Sequence, residues 1–303
     1  MGEKFKTVFD VLKQTVRDWS EDKAPRLGAA LAYYTVFSIA PLIVIVLAIA
    51  GLWFDKQAAQ DQIFGQIGSL IGESGAKAIS GLLQAADKPR EGIVASVLAV
   101  VTLIFGATGV FVQLQDALNT IWEVKPKPGR GIMGFIRQRI LSLAMVFGIG
   151  FLLLVSLVMS AVLAAAGKWF AGAMPGGEAV WQTLNFIISF VVIAAMFTLM
   201  FKYLPDVKIA WKDVWLGGAL TALLFVVGKF ALGFYLGRSS VSSAYGAAGS
   251  LVIVLLWVYY SAQILFLGAE FTQVYADRFG KKLEPADNAM WAPGQKAAQA
   301  GGA

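Results

Sequence analysis

The stretch WVYYSAQILFLGAEFTQVYADR, residues 257–278, decides the fold class. It is apolar enough to cross a bilayer until Gln263, Glu270, Gln273 and Asp277 interrupt it. On a helix these four stand seven, three and four residues apart, and Tyr259 extends the line, so they share one face. A face with two amides and two carboxylates cannot meet hydrocarbon; it must meet other helices or water. The stretch therefore predicts a bundle of membrane helices, not a lone anchor.

Composition agrees. Of 303 residues, 58% are hydrophobic and only 15% charged, which leaves too little polar surface to cover a soluble protein of this length. Long apolar runs predict an all-α polytopic membrane protein with six transmembrane helices, near 29–54, 92–115, 140–166, 183–204, 213–236 and 248–273. Trp53, Trp122, Trp169, Trp181, Trp211 and Trp215 fall near the ends of these spans, as an interfacial belt requires. Three segments follow: 1–27, an amphipathic cytoplasmic helix; 28–279, the six-helix domain; and 280–303, a disordered cytoplasmic tail rich in Ala, Gly and Gln.

In the first segment Phe5, Val8, Phe9, Leu12, Val16 and Trp19 recur at helical spacing among charges, which predicts a helix on the membrane surface that ends near Pro25. The first outer loop, 55–91, carries Ile63, Phe64, Ile67, Leu70 and Ile71, then Ile79, Leu82 and Leu83. These predict two short amphipathic helices. With the N-terminus inside, eighteen of the 25 Lys and Arg residues fall on the cytoplasmic side. Only Lys56, Lys77, Lys88, Arg90, Lys168 and Arg238 fall outside, and Lys229 lies within a span. This bias places both termini in the cytoplasm. It also explains the net charge of +6 without a nucleic-acid partner.

Two further spans carry polar faces at a depth resembling that of Glu270. Tyr34, Ser38 and Pro41 lie at i, i+4 and i+7 in the first span, and Pro41 should kink it. Gln113, Asp116, Thr120 and Glu123 form a polar stripe on the second helix, opposite Leu114, Leu118, Ile121 and Trp122. The expected vestibule for substrate or a proton thus joins Tyr34, Ser38, Gln113, Asp116, Gln263, Glu270 and Gln273. Arg26, Arg137 and Arg139 would form its cationic rim. Packing alone could also use these faces. Lys229 is the most buried-looking charge, and lies about 20 Å from Glu270 in depth at 1.5 Å per residue.

Enzyme chemistry finds little support. Histidine and cysteine are absent, which removes the commonest general base, thiolate ligands and any Ser-His-Asp set. No GxxxxGK[ST] or HExxH occurs. No enzyme activity, metal or cofactor is expected.

RLGAALAYYTVFSIAPL at 26–42, DALNTIWEV at 116–124 and SAYGAAGSLVIVLLWVYYSAQILFLGAEFTQVYA at 243–276 resemble the YihY/BrkB family of bacterial inner-membrane proteins. The resemblance covers residues 10–280, and LWVYYSAQILFLGAEF is its most specific part. It implies a multi-pass protein of the bacterial cytoplasmic membrane, in a family with links to serum resistance or envelope lipid handling. Many members carry a legacy label, ribonuclease BN-like. Ribonucleases of that type use histidine-rich metal sites, and a chain without histidine argues against the label. Glu270 matches the family's GAE motif.

Two functions remain open. The first is a transporter or flippase-like handler of an amphipathic, anionic, lipid-related substrate, with membrane lipids as partners. The second is a non-transporting scaffold for other envelope proteins. The topology is directly testable: reporter fusions at Lys77 and Gly176 should read as periplasmic, and those at Gly129 and Asn288 as cytoplasmic. A cytoplasmic signal at Lys77 would overturn the map.

Overall fold

A computed structural model describes residues 2–51, 93–128, 177–238, 249–280 and 283–292, with isolated positions between 55 and 81 and at 140, 144 and 148. Six long helices follow in chain order: α1 Gly2–Glu21, α2 Ala24–Ala50, α3 Ile93–Ile121, α4 Gly177–Tyr203, α5 Trp211–Arg238 and α6 Gly249–Phe279. Among the described residues, four stretches are long and apolar enough to cross a membrane: Ala24–Leu47, Phe186–Tyr203, Trp211–Tyr235 and Leu251–Phe279. They match the first, fourth, fifth and sixth predicted spans. Helix α3 occupies the second predicted interval and runs six residues past its expected end. The predicted span 140–166 lies outside the described residues apart from helical positions at 140, 144 and 148.

The first helix ends slightly short of its expected end. The break after α1 comes before Pro25, at Asp22–Lys23, where Lys23 takes a left-handed φ of 55°. Pro25 instead stands in the first turn of α2, where its missing N–H leaves no intrahelical bond unmade. Pro41 lies inside α2, which remains helical on both sides of it. Gly106 of α3 makes room for its ring, 2.9 Å from where a β-carbon would stand. Helix α1 packs against α6 through buried Val11 and Thr15, while Val8, Phe9, Leu12 and Val16 stay exposed. One face thus meets the bundle, and the apolar face read from the sequence remains open.

Glycine and threonine set how closely α5 and α6 approach. Thr221 Oγ1 donates to the Gly217 carbonyl in α5, and Thr272 Oγ1 donates to the Gly268 carbonyl in α6, at 2.7 and 2.6 Å. Each threonine fills the space above the other helix's glycine: Thr272 over Gly217, Thr221 over Gly268. The two pairs interlock across the antiparallel crossing. Gly218 receives Thr198 of α4 in the same way, and Gly228 receives Tyr260 of α6. Small residues let backbones approach in a bilayer, where lipid tails supply little drive for helix association.

At one end of the bundle, the described positions from 57 to 68 and from 76 to 81 are helical where they fall in the predicted outer-loop helices. Ile79 is buried with Ile43, Leu47 and Val254, and Ile63 and Phe64 pack against this group. At the opposite end the structure corrects the first part of the expected disordered tail, while 293–303 lie outside the described residues. Residues 284–291 form two short strands, β3 Glu284–Pro285 and β4 Ala289–Trp291. Strand β4 pairs antiparallel with β1, Val124–Pro126, and β3 pairs with β2, Val207–Lys208. Asp206 ties the cap together. Its carboxylate accepts from Asn119 Nδ2 at 3.1 Å and Asn288 Nδ2 at 2.9 Å, and its backbone N–H donates to Asn119 Oδ1 at 2.7 Å. An Ala, Gly and Gln composition reads as disorder until such long-range partners are known.

The interlocked crossing predicts a specific failure. Gly268→Ala drives a methyl group into Thr221 and should destabilise the protein by about 1–3 kcal/mol, the usual cost of overpacking. Adding Thr221→Gly returns the space and should recover at least half of the lost thermal stability in detergent. Additive losses in the double variant would show that the contact does not set the crossing.

Candidate functional site

Helix α6 carries the polar face to the centre of the bundle. Glu270 is 0% exposed and Gln273 is 5% exposed, while Asp277 reaches solvent. Gln263 turns its amide onto Gly28 of α2, where a β-carbon would push the amide aside. Both polar atoms of Gln263 and both carboxyl oxygens of Glu270 are enclosed without a hydrogen-bond partner. An unpaired polar group in an apolar interior costs several kcal/mol, so this column is an expensive feature.

The Gly28–Gln263 contact fixes the register between antiparallel α2 and α6. Ser38 lies ten residues from Gly28 toward one end of the bundle, and Glu270 lies seven residues from Gln263 toward the other. At 1.5 Å per residue they stand about 25 Å apart along the axis. The expected joining of Tyr34 and Ser38 to Glu270 is therefore not what the fold makes. Ser38, buried, packs beside Gly109 of α3 with its Oγ 3.4 Å from a β-carbon placed there, and Tyr34 is 44% exposed next to the same glycine. Gln113 is half-buried and Asp116 is largely exposed on α3. Lys229 is half-buried in α5 and Arg26 is exposed, whereas Arg137 and Arg139 lie outside the described residues.

The groups that do act on Glu270 come from turns. Asp22 follows α1, Glu123 follows α3, and Asp18 lies on the last turns of α1. Their carboxyls are the strongest charges acting on Glu270, with Asp22 foremost. Glu123, like Lys23, has a left-handed φ of 55°. Trp122, expected in the interfacial belt, is fully buried beside this turn, while Trp211 and Trp215 are half exposed as a belt requires. Trp122 shares its apolar core with Ala24, Phe266 and Ala269, and Trp19 packs against that core. The indole Nε1 donors of both tryptophans are enclosed without an acceptor.

Asp22 records the environment. Burial, then the Glu123 and Asp18 carboxylates, push its carboxyl up to about 6 from an ordinary 3.8, against a smaller opposing effect of the Glu270 carboxyl. Burial likewise raises Asp18. An adjacent cation would have had the opposite effect. Sequence reasoning missed Asp22, Asp18 and Glu123 as the groups acting on Glu270. The available signal was the position of each acid at a helix end that topology brings to the same side.

These contacts define a class: a helical multi-pass membrane protein with an acidic polar column enclosed at one end of its bundle. The chain belongs to the BrkB family, since the family described as virulence factor BrkB matches residues 15–291. Among similar proteins, a UPF0761 membrane protein of Methylibium petroleiphilum is 32% identical over 267 residues, covering 86% of this chain and 61% of its own. A UPF0761 membrane protein of Azotobacter vinelandii is 28% identical, covering 89% of this chain and 64% of its own. One of Ralstonia nicotianae is 26% identical, covering 85% and 56%. The chain thus spans about six-tenths of the length of these relatives. No solved structure matches it.

The weakened acidity of Asp22 has a signed consequence. A carboxyl that holds its proton more tightly in the folded state stabilises the fold fully below about pH 4, and that contribution is lost as pH rises through about 6. Thermal stability should therefore increase as pH falls from 7 to 5, and Asp22→Asn should flatten this rise. Parallel melting-temperature profiles for the two proteins would rule the assignment out.

Proposed function

We propose that this chain is a transport protein of the bacterial cytoplasmic membrane, both termini inside, that moves an amphipathic, anionic, lipid-related envelope substrate. The observation that carries the proposal is Glu270, wholly enclosed on a membrane-spanning helix with neither oxygen partnered. Ionisable side chains inside a membrane bundle are costly and mark pathways or relays. A purely structural role would be served as well by an apolar residue of similar volume, without the desolvation cost.

The charge around Glu270 narrows its part in this. Asp22, Asp18 and Glu123 would repel an anionic headgroup, so the headgroup does not sit at Glu270. Exposed Lys23, Arg26, Lys127, Lys208 and Lys212 supply the attraction, and Glu270 serves the transport cycle. A scaffold for envelope proteins is the second reading, supported by the open apolar face of Val8, Phe9, Leu12 and Val16 on α1.

Liposomes containing the purified protein and a headgroup-bearing fluorescent phosphatidylglycerol separate the two. Transport predicts faster translocation than in empty liposomes, and a loss of tenfold or more in Glu270→Gln with its melting temperature retained. Equal rates with and without wild-type protein, across several anionic lipids, would favour the scaffold.

A further inference from the structure

Glu270 is fully buried with both carboxyl oxygens enclosed, and the Gly28–Gln263 contact sets the α1–α2 turn, with Asp22, level with it. The ligand that suits this place must reduce negative charge. The charged groups acting most strongly on Glu270 are Asp22 in the turn after α1, Asp18 on α1 and Glu123 after α3. On Asp22 the same acids act, joined by Glu21. Asp277 of α6 adds to the field at Asp18. Lys23 and Arg26, the bases nearest in sequence, are exposed.

An anion is excluded by this field. A multidentate metal ion fits no better, because among the described residues no three His, Cys, Asp or Glu converge closely enough to hold one. A proton needs neither cavity nor ligand shell. It removes one charge and provides one hydrogen bond, the two things two apposed carboxyls lack.

We propose that Glu270 and Asp22 form a proton-binding pair, one proton being held between their carboxyl groups where the α1–α2 turn meets α6. Asp22 is half-buried and is the way in. A proton from cytoplasmic water forms an O–H bond on Asp22 and passes to Glu270, and the pair changes from two negative charges to one. Release reverses the steps, and nothing is oxidised or reduced. As the coupling step of transport this rests on the function proposed above; as a binding site it is testable without substrate.

Infrared difference spectroscopy on the detergent-purified full chain reads the site directly through the C=O stretch of a protonated carboxyl. At pH 7 the wild type should show this band, and Glu270→Gln, which matches the protonated acid in shape, should lose it while keeping its melting temperature. Asp22→Asn should keep the band but move its titration midpoint by about one pH unit or more, because coupled acids titrate as a pair. A band that survives Glu270→Gln overturns the proposal, as does an unmoved midpoint in Asp22→Asn. Loss of the wild-type band when sodium or potassium chloride replaces choline chloride would overturn it in favour of a metal-cation site. The band with no lipid translocation sinks the transport function and leaves the proton site standing; translocation without the band does the reverse.

Discussion

Around α6 the backbones come as close as side chains permit, because a glycine stands at crossing after crossing. Gly28 of α2 meets Gln263, Gly217 of α5 meets Thr272, and Gly228 of α5 meets Tyr260, while α6 offers its own Gly268 to Thr221. Lipid competes well with apolar side chains for a helix surface, so close packing and satisfied hydroxyls must hold such a bundle together. The threonines contribute twice, donating to a carbonyl one turn back and filling the facing gap. The depth and facing direction of every polar group on α6 follow from these contacts.

That register explains why an acid on a membrane helix meets other acids. With Gly28 level with Gln263, the α1–α2 turn falls level with Glu270 and brings Asp22 to it. The α2–α3 contacts, Pro41 on Gly106 and Ser38 beside Gly109, put the end of α3 at the same level, with Glu123 and Trp122. Helix α1 is drawn onto α6 by Val11 and Thr15, and its ion pair, Asp10 to Arg278 at 3.9 Å, is long and partly exposed. Such a pair contributes little, so burial does the holding.

Much of this fold was legible because a bilayer punishes exceptions. A carboxylate in a 29-residue apolar helix has to face inward, and so the Gln263, Glu270 and Gln273 face could be read from spacing alone. Which groups meet that face was not legible. Tyr34 and Ser38 have suitable chemistry and periodicity, but helical periodicity gives direction around an axis and says nothing about depth. Depth came from a glycine contact that no local pattern announces. The turns were hidden for another reason: Lys23 and Glu123 adopt left-handed φ without being glycine or asparagine, so composition gave no sign of them. The tail was misread because two- and three-residue strands are specified by their partners, here β1, β2 and Asp206, far away in sequence.

The paired tail also orders the protein's biogenesis. Asn119 and Asp206 leave the ribosome long before Asn288, and the strand edges of Val124–Pro126 and Val207–Lys208 must wait for residues 284–291. The cap is therefore completed only after α6 has been delivered to the membrane. Until then the Asp206 carboxylate lacks its Asn288 partner and the loop edges remain open to water and to chaperones. A stalled chain can insert its helices and still present an unfinished cap, which gives quality control a place to distinguish a chain stopped before residue 284 from one that has passed 291.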